Sequence, residues 1–291
     1  MGHPMLDFYA TPGPMTVLPE HPALDDVPVD LDDLRAVVQG LLVHRDWAPM
    51  YGLTADQLRL PEQHLRTAVE TLDRAFEMSA QPLTVRREPV DRVLTTCRNF
   101  ALLYTALLRD QGVPARVRCG FANYFDRSKW FDHFITERWN GERWVRDDAQ
   151  VDDLQRQVVS LDIDPYDQPA GHFLTGGEAW LATRAGEADP DLFGIFDMWG
   201  AAYIGGNVLL DLACLNKVEL LPWDGWGMPR NPFEPVPDKD LAVYDELALL
   251  TGGDDFDAMR HRYLSDDAVR VPADITSFQD GTAVEAHLDL W

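Results

Sequence analysis

Three residue types that together perform acyl transfer occur in one order along the chain. Cys97 opens a strongly apolar run, His133 lies in an alternating segment further on, and Asp148 follows an Asn140-Gly141 pair. In such a set the cysteine thiolate attacks a carbonyl carbon, the imidazole moves the proton, and the carboxylate orients the imidazole. The order of these residues therefore predicts a thiol nucleophile site.

The Asn140-Gly141 pair predicts how the histidine and the aspartate meet. Asn-Gly favours a two-residue type I′ hairpin turn, because both central residues need positive φ. If the two flanking residues pair, counting back along the strands places His133 opposite Asp148. Directly opposed side chains have Cβ atoms roughly 5 Å apart, within reach of a hydrogen bond. A slip of one residue would present Asp147 instead, which is the competing orienter.

The cysteine is predicted to lie in the first turn of a helix. Thr95 or Thr96 can cap that helix, while Gly112 and the following Pro114 end it. A helix N-terminus generally favours a thiolate, because its backbone N–H groups and macrodipole stabilise an anion. The backbone N–H of Cys97 can also bind a developing oxyanion. The helix is expected to turn Cys97 toward the sheet on which it packs.

Each of these residues also has a structural explanation. A cysteine in an apolar helix is commonly a small buried hydrophobe, and a strand histidine is commonly a hydrogen-bonded core residue. Asp147 and Asp148 could form a surface turn. Cys119 in the middle of a strand and Cys214 in an apolar helix are expected to be core residues, because neither lies at a helix N-terminus.

The elements that must position these residues alternate between helical and strand patterns. In the first half, apolar spacing predicts helices over 30–44, 54–60, 61–80 and from Cys97 onward, then strands over 116–125 and 131–148. A helix followed by antiparallel strands is typical of an α+β fold rather than of parallel βαβ units. The second half predicts helices over 152–159, 173–186, 206–216, 238–250 and 255–264, with a Trp-, Pro- and Gly-rich loop over 220–237.

We therefore predict three segments. Residues 1–28 form an irregular, proline-rich N-terminal arm, residues 29–151 form the α+β catalytic core, and residues 152–291 form a helical extension packed on that core. No linker is clear enough to make the extension an independent domain.

Composition restricts the partners. The chain has 291 residues, of which 46% are hydrophobic, so a sizeable core is possible. Its 25 basic and 49 acidic residues give a net charge of −24, which repels nucleic acid and anionic membranes and mildly favours amine-bearing partners. Three cysteines make a poor disulfide framework and favour a reducing, cytoplasmic location. We expect no signal peptide, no membrane span, no metal site and no cofactor.

Three motifs resemble those of a known superfamily. The stretch Cys97 to Arg116, which ends in Gly-Val-Pro-Ala-Arg, resembles the cysteine motif of the transglutaminase-like superfamily. Asp132-His133-Phe134 resembles its histidine strand, although Phe134 stands where the superfamily often has Trp. Trp144 to Gln150 resembles its aspartate strand. The resemblance covers about residues 92–151. The later stretch 206–227 is similar to a bacterial subgroup of the superfamily.

The resemblance implies a papain-like α+β core and a mechanism through an acyl-thioester. It assigns the nucleophile to Cys97, the acid and base to His133, and the orienting carboxylate to Asp148. The superfamily includes members that transfer acyl groups to amines, hydrolyse amides, form amides, or have lost catalysis.

The function we expect is amide transfer, amide formation or amide hydrolysis on a small or peptide-like acyl donor, with an amine or water as acceptor. Trp130, Trp223 and Trp226 are candidate substrate-binding residues. The alternative is a non-catalytic binding module with an ordinary thiol. Metal-dependent hydrolysis through His133 and the aspartates lacks a ligand set. The oligomeric state is not indicated by the sequence.

Overall fold

The computed structural model describes residues 3–228 and 231–290, which divide into two compact units interleaved along the chain. Unit 1 comprises Met1–Arg116, Ile135–Arg156 and Pro165–Asp167. Unit 2 comprises Val117–Phe134, Gln157–Asp164 and Gln168–Trp291. These boundaries differ from those of the three predicted segments, and the division into an arm, a core and an extension that is not an independent domain stays a prediction.

Unit 1 contains the N-terminal helices, the helix that begins at Cys97 and the paired strands of one hairpin. Its helices and strands are α1 (Pro4–Tyr9), α2 (Leu31–Leu41), β1 (Leu42–His44), α3 (Ala68–Met78), β2 (Val93–Thr95), α4 (Cys97–Asp110), β5 (Trp144–Asp147) and the second half of β4 (Trp130–Trp139). Asp30 caps α2 by accepting two backbone N–H groups. Thr67 and Glu70 form a capping box on α3.

The core of unit 1 surrounds α4. Leu34 and Leu41 of α2, Leu72 of α3, and Phe100 and Tyr104 of α4 are all buried in one apolar cluster. On another side, α4 contacts strand β4. There the Thr136 hydroxyl of β4 donates to the Ala101 carbonyl at 3.1 Å. The predicted arrangement, in which the helix that begins at Cys97 packs on an antiparallel strand pair, is therefore confirmed.

The register of the β4–β5 hairpin differs from the predicted one. Trp139 pairs with Trp144, and Asp147 pairs with Thr136. The backbone N–H of Asn140 donates to the Arg143 carbonyl, so the two central turn residues are Gly141 and Glu142 rather than Asn140 and Gly141. The predicted opposition of His133 and Asp148 is wrong, because the observed register is shifted by two residues and brings Ile135 rather than His133 level with Asp148.

The physical reason lies in the asparagine side chain. Asn140 Oδ1 accepts the backbone N–H groups of Glu142 at 3.0 Å and Arg143 at 2.9 Å. Asn140 therefore closes the turn from its first position and does not need positive φ. Gly141 has φ +100° and occupies the first central position, which a type II′ turn reserves for glycine.

Unit 2 combines a mixed sheet with helices. Its helices and strands are β3 (Ala115–Ala122, from Val117 on), the first half of β4, β6 (Phe173–Thr175), α6 (Gly176–Arg184), β7 (Phe193–Ile195), β8 (Met198–Trp199), α7 (Ala201–Leu215), β9 (Asp224–Gly225), α8 (Asp238–Gly252), α9 (Phe256–Ser265), β10 (Asp274–Gln279) and β11 (Thr282–His287). The short helix α5 (Asp153–Val158) runs from unit 1 into unit 2. The sheet order is β6-β3-β4-β7-β8, with β7 parallel to β4.

Helices α6 and α7 pack closely because α6 begins with glycine. A Cβ on Gly176 would lie 2.4 Å from the carbonyl carbon of Asn207, so no larger residue fits there. A buried ion pair fixes α7 to the sheet. The Arg118 guanidinium of β3 binds both oxygens of Asp211, at 2.9 and 2.7 Å. Asp211 also accepts the backbone N–H of Cys119.

Most predicted elements are present, and the predicted mixed α+β class is confirmed. Two regions differ. The helices predicted over 54–80 are 3₁₀ turns at Ala55–Gln57 and Leu60–His64 followed by α3. The C-terminal half also contains a small sheet that the sequence did not predict, with strand order β11-β10-β9. Among the described residues, no helix is both long and apolar enough to cross a membrane.

Candidate active site

Cys97 is the first residue of α4, as predicted. Thr96 is the N-cap, with extended backbone angles of φ −120° and ψ 172°. Its side chain caps no backbone group, and its hydroxyl is buried without a hydrogen-bond partner among the described residues. Cys97 is only 7% exposed. The N–H groups of the first turn have no partner four residues back within the helix, so an anion at this position is favoured.

Asp148 lies in the turn that follows β5. It is 1% exposed, and its backbone N–H donates to the Pro165 carbonyl at 2.8 Å. Its Oδ1 accepts the backbone N–H of Gln150 at 3.0 Å. The carboxylate is therefore held by its own turn. Because the predicted register is wrong, the choice of Asp148 over Asp147 as orienting residue now rests on the family resemblance alone.

Asp147 occupies a different environment, on the strand face that contacts α4. It is fully buried, and its Oδ2 accepts hydrogen bonds from Arg138 Nε at 2.7 Å and from the Tyr104 hydroxyl at 3.0 Å. Arg35 Nη1 of α2 approaches the same oxygen at 3.4 Å. Burial raises the pKa of Asp147 to about 6, although Arg35, Arg138 and Tyr104 oppose the shift.

His133 belongs to unit 2, in the first half of β4. It is 2% exposed, and the rings of Tyr124 and Phe125 meet its ring edge to face, at 5.9 and 5.0 Å between centroids. The preceding residue, Asp132, accepts a hydrogen bond from the Asn207 amide of α7 at 2.7 Å. The strand segment that carries the imidazole is thus held by contacts on both sides.

The three predicted substrate-binding tryptophans also lie in unit 2. Trp130 stacks on Phe193 at 5.5 Å, and Trp226 is buried with its indole N–H donating to the Val269 carbonyl. The Trp223 carbonyl accepts the backbone N–H of Phe278. A binding role for these residues stays a prediction. Residues 229 and 230 of the predicted loop lie outside the described residues.

The remaining cysteines are placed as expected. Cys119 in β3 and Cys214 in α7 are both fully buried. Within residues 3–228 and 231–290, no group of histidine, cysteine and acidic side chains is arranged to hold a metal ion.

Sequence reasoning missed the cluster around Asp147. Arg35, Tyr104 and Arg138 come from three separate elements, α2, α4 and β4. The one available signal was the Asp147-Asp148 pair itself, since consecutive strand residues point to opposite faces and so have different partners.

Residues 54–149 match the family model of the transglutaminase-like superfamily. No curated protein matches the chain. Among solved structures, the chain is similar to the crystal structure of a "putative cysteine protease" from Cytophaga hutchinsonii, with 17% identity and a TM-score of 0.21 over 56% of this chain. The aligned part is 50% of that protein's length, so the chain spans half of it. The matched range 54–149 includes Cys97, His133 and Asp148. Residues 54–149 are therefore a domain of the transglutaminase-like superfamily.

Proposed function

We propose that this protein is a cysteine acyl-transfer enzyme with Cys97 as nucleophile, His133 as acid and base, and Asp148 as the orienting carboxylate. The observation that supports the proposal most is the position of Cys97. It is the first residue of α4 and lies within the range that matches the transglutaminase-like superfamily. Helix N-termini are where proteins place reactive thiolates, because the backbone there stabilises negative charge.

The reaction proceeds in two halves. The Cys97 thiolate attacks the carbonyl carbon of an amide, ester or thioester, and the tetrahedral oxyanion is bound by N–H groups of the first turn of α4. The C–N, C–O or C–S bond breaks as His133 gives its proton to the leaving group, which leaves an acyl-thioester on Cys97. His133 then takes a proton from water or an amine, which attacks the thioester and releases the thiolate.

The substrate class we propose is a small or peptide-like acyl donor with an uncharged or cationic group near the reacting carbonyl. The net charge of −24 disfavours polyanionic donors and favours amine acceptors at the encounter stage. Water and an amine compete for the same thioester, so exclusion of water would decide between hydrolysis and amide formation.

The proposal is tested by intact-mass screening of acyl donors. Wild-type protein is incubated with p-nitrophenyl acetate, an N-acetylcysteamine thioester and a glutamine-containing peptide, and adducts are assigned by peptide mapping. We expect an acyl adduct on Cys97 that hydroxylamine removes, as a thioester requires. Cys97→Ala should lose the adduct, while Cys214→Ala, which changes a buried core thiol, should keep it. If the wild type forms no adduct with any donor, the protein is the non-catalytic module and the proposal is wrong.

A further inference from the structure

Three elements of unit 1 meet at one carboxylate oxygen. Asp147 Oδ2 receives the Tyr104 hydroxyl from α4, Arg138 Nε from β4, and Arg35 Nη1 from α2, at 3.0, 2.7 and 3.4 Å. Its other oxygen, Oδ1, is buried and has no hydrogen-bond partner among the described residues. Asp147 therefore joins the helix that begins at Cys97 to the strand that ends just before Asp148.

The two arginines that bind Asp147 make further contacts, with Tyr166 and Asp32. The Arg35 guanidinium stacks over the Tyr166 ring at 4.0 Å and also binds Asp32, which is exposed, at 2.9 Å. The second guanidinium, that of Arg138, also reaches the Tyr166 carbonyl at 3.4 Å. Tyr166 in turn donates its hydroxyl to the Val151 carbonyl at 3.0 Å. The network thus contacts the chain just before and just after Asp148.

A buried ion pair of this kind is a costly way to gain stability. Apolar residues of similar volume often stabilise a core equally well, because charged groups lose their hydration on burial. The buried Oδ1 without a partner adds a further cost of about 1–3 kcal/mol. The cluster's hydrogen bonds, however, are directional. They fix the relative positions of α2, α4 and the β4–β5 hairpin more tightly than apolar contacts would.

We propose that Asp147 is a positioning residue of the candidate active site, which holds the end of β5, and with it Asp148, in a fixed place against the nucleophile helix through Tyr104. The inference rests on the proposed function, since it concerns the placement of Asp148. Tyr104 lies two helical turns after Cys97, so a helix fixed at Tyr104 is also fixed at its start. Misplacement of a catalytic group by about 1 Å can lower a rate by as much as ~100-fold.

The experiment compares two variants, each of which removes the hydroxyl of one buried tyrosine. Tyr104→Phe removes one of the donors to Asp147. Tyr263→Phe is the matched control, because Tyr263 is also buried and its hydroxyl accepts one hydrogen bond, from the backbone N–H of Val271 at 3.2 Å in unit 2. For each protein, the rate of Cys97 alkylation by iodoacetamide is followed by peptide mass spectrometry at pH 6 and pH 9. If the Tyr104–Asp147 contact were only structural, both variants would lower the free energy of unfolding to a similar extent. The pH dependence of Cys97 alkylation would then be the same as in the wild type.

We expect Tyr104→Phe to lower the rate at pH 6 by about tenfold or more while changing the rate at pH 9 little. Tyr263→Phe should match the wild type at both values. Should Tyr104→Phe fail to fold, Arg138→Lys keeps the positive charge but cannot reproduce both guanidinium contacts, and the same loss at pH 6 is expected.

The results separate the two proposals. If Cys97 is strongly reactive at pH 6 in the wild type and equally so in Tyr104→Phe, the positioning role of Asp147 is wrong and the proposed function stands. If wild-type Cys97 already reacts at pH 6 as slowly as an ordinary thiol, the proposed function fails, and the positioning role fails with it.

Discussion

The Tyr104 hydroxyl donates a hydrogen bond of 3.0 Å to Asp147, and this contact joins the helix that begins at Cys97 to the strand that ends at Asp147. Asp147 pairs with Thr136, whose own hydroxyl contacts the carbonyl of Ala101 on the same helix. Two polar contacts therefore fix one face of the hairpin against α4, in the part of unit 1 that also carries Cys97 and Asp148.

The ionisation of Asp147 gives the first prediction. Because burial raises its pKa to about 6, the folded protein binds a proton there more tightly than the unfolded chain does. The stabilisation is fully present below pH 4 and is lost as the pH rises to 6 and above. Its full size is about 3 kcal/mol for a shift of this magnitude.

This prediction is measured by urea unfolding of the wild type and Asp147→Asn at pH 4, 5, 6 and 7. The free energy of unfolding of the wild type should fall relative to that of Asp147→Asn as the pH rises. A wild-type advantage that grows with pH would contradict the prediction.

Replacement of His133 tests its proposed role as acid and base. His133→Gln keeps a polar side chain of similar size but cannot carry the proton, so turnover of any acyl donor found for the wild type should fall by a factor of about 100 to 10,000. His172→Gln changes another histidine of unit 2, which contacts Arg127 and Asn123, and should leave turnover unchanged. The measurement is the steady-state turnover rate of the wild type, His133→Gln and His172→Gln. Full activity in His133→Gln would rule out a catalytic role for His133.

The hairpin turn predicts a local stability effect. Gly141 has φ +100°, and nothing lies within 4 Å of a Cβ added there. Gly141→Ala should therefore destabilise the protein through backbone strain alone, by about 1–2 kcal/mol. Glu142→Ala, at the neighbouring exposed position, should have almost no effect. Thermal or urea unfolding of both variants checks the positive φ of Gly141, and equal stabilities would be inconsistent with it.

The ion pair of Arg118 and Asp211 predicts a large effect in unit 2. Both side chains are buried, so Asp211→Ala removes the carboxylate bound to a buried guanidinium and should lower the free energy of unfolding by about 3–5 kcal/mol. Arg143→Ala, which breaks an exposed pair with Asp167, should cost less than about 1 kcal/mol. Urea denaturation of the two variants gives the comparison. A similar decrease in the free energy of unfolding in both variants would show that burial of the ion pair does not determine the effect of breaking it.

Local signals in the sequence placed the helix start at Cys97 and most helices of the second half, because caps, glycines and apolar spacing act over a few residues. The Asn140-Gly141 signal failed for a different reason. The sequence is compatible with two turns, one centred on Asn140-Gly141 and one on Gly141-Glu142. The Asn140 side chain stabilises the second turn, which shifts the strand register by two residues.

The Asp147 cluster could not be predicted from such signals. Arg35, Tyr104 and Arg138 reach Asp147 only because three elements pack together, and no local pattern records that packing. The sheet of β9, β10 and β11 was missed because β11 is mostly exposed and lacks the alternation that marks a half-buried strand.

The central claim is that Cys97 is an activated nucleophile, and the most direct test is its alkylation rate at pH 6 and pH 9 in the native wild type, resolved from Cys119 and Cys214 by peptide mapping. An ordinary thiol slows by more than about 100-fold between pH 9 and pH 6, because its thiolate fraction falls. We predict that Cys97 slows less than about tenfold, while the same cysteine in the urea-unfolded chain behaves as an ordinary thiol. A native rate that falls as steeply as the unfolded one would contradict the claim.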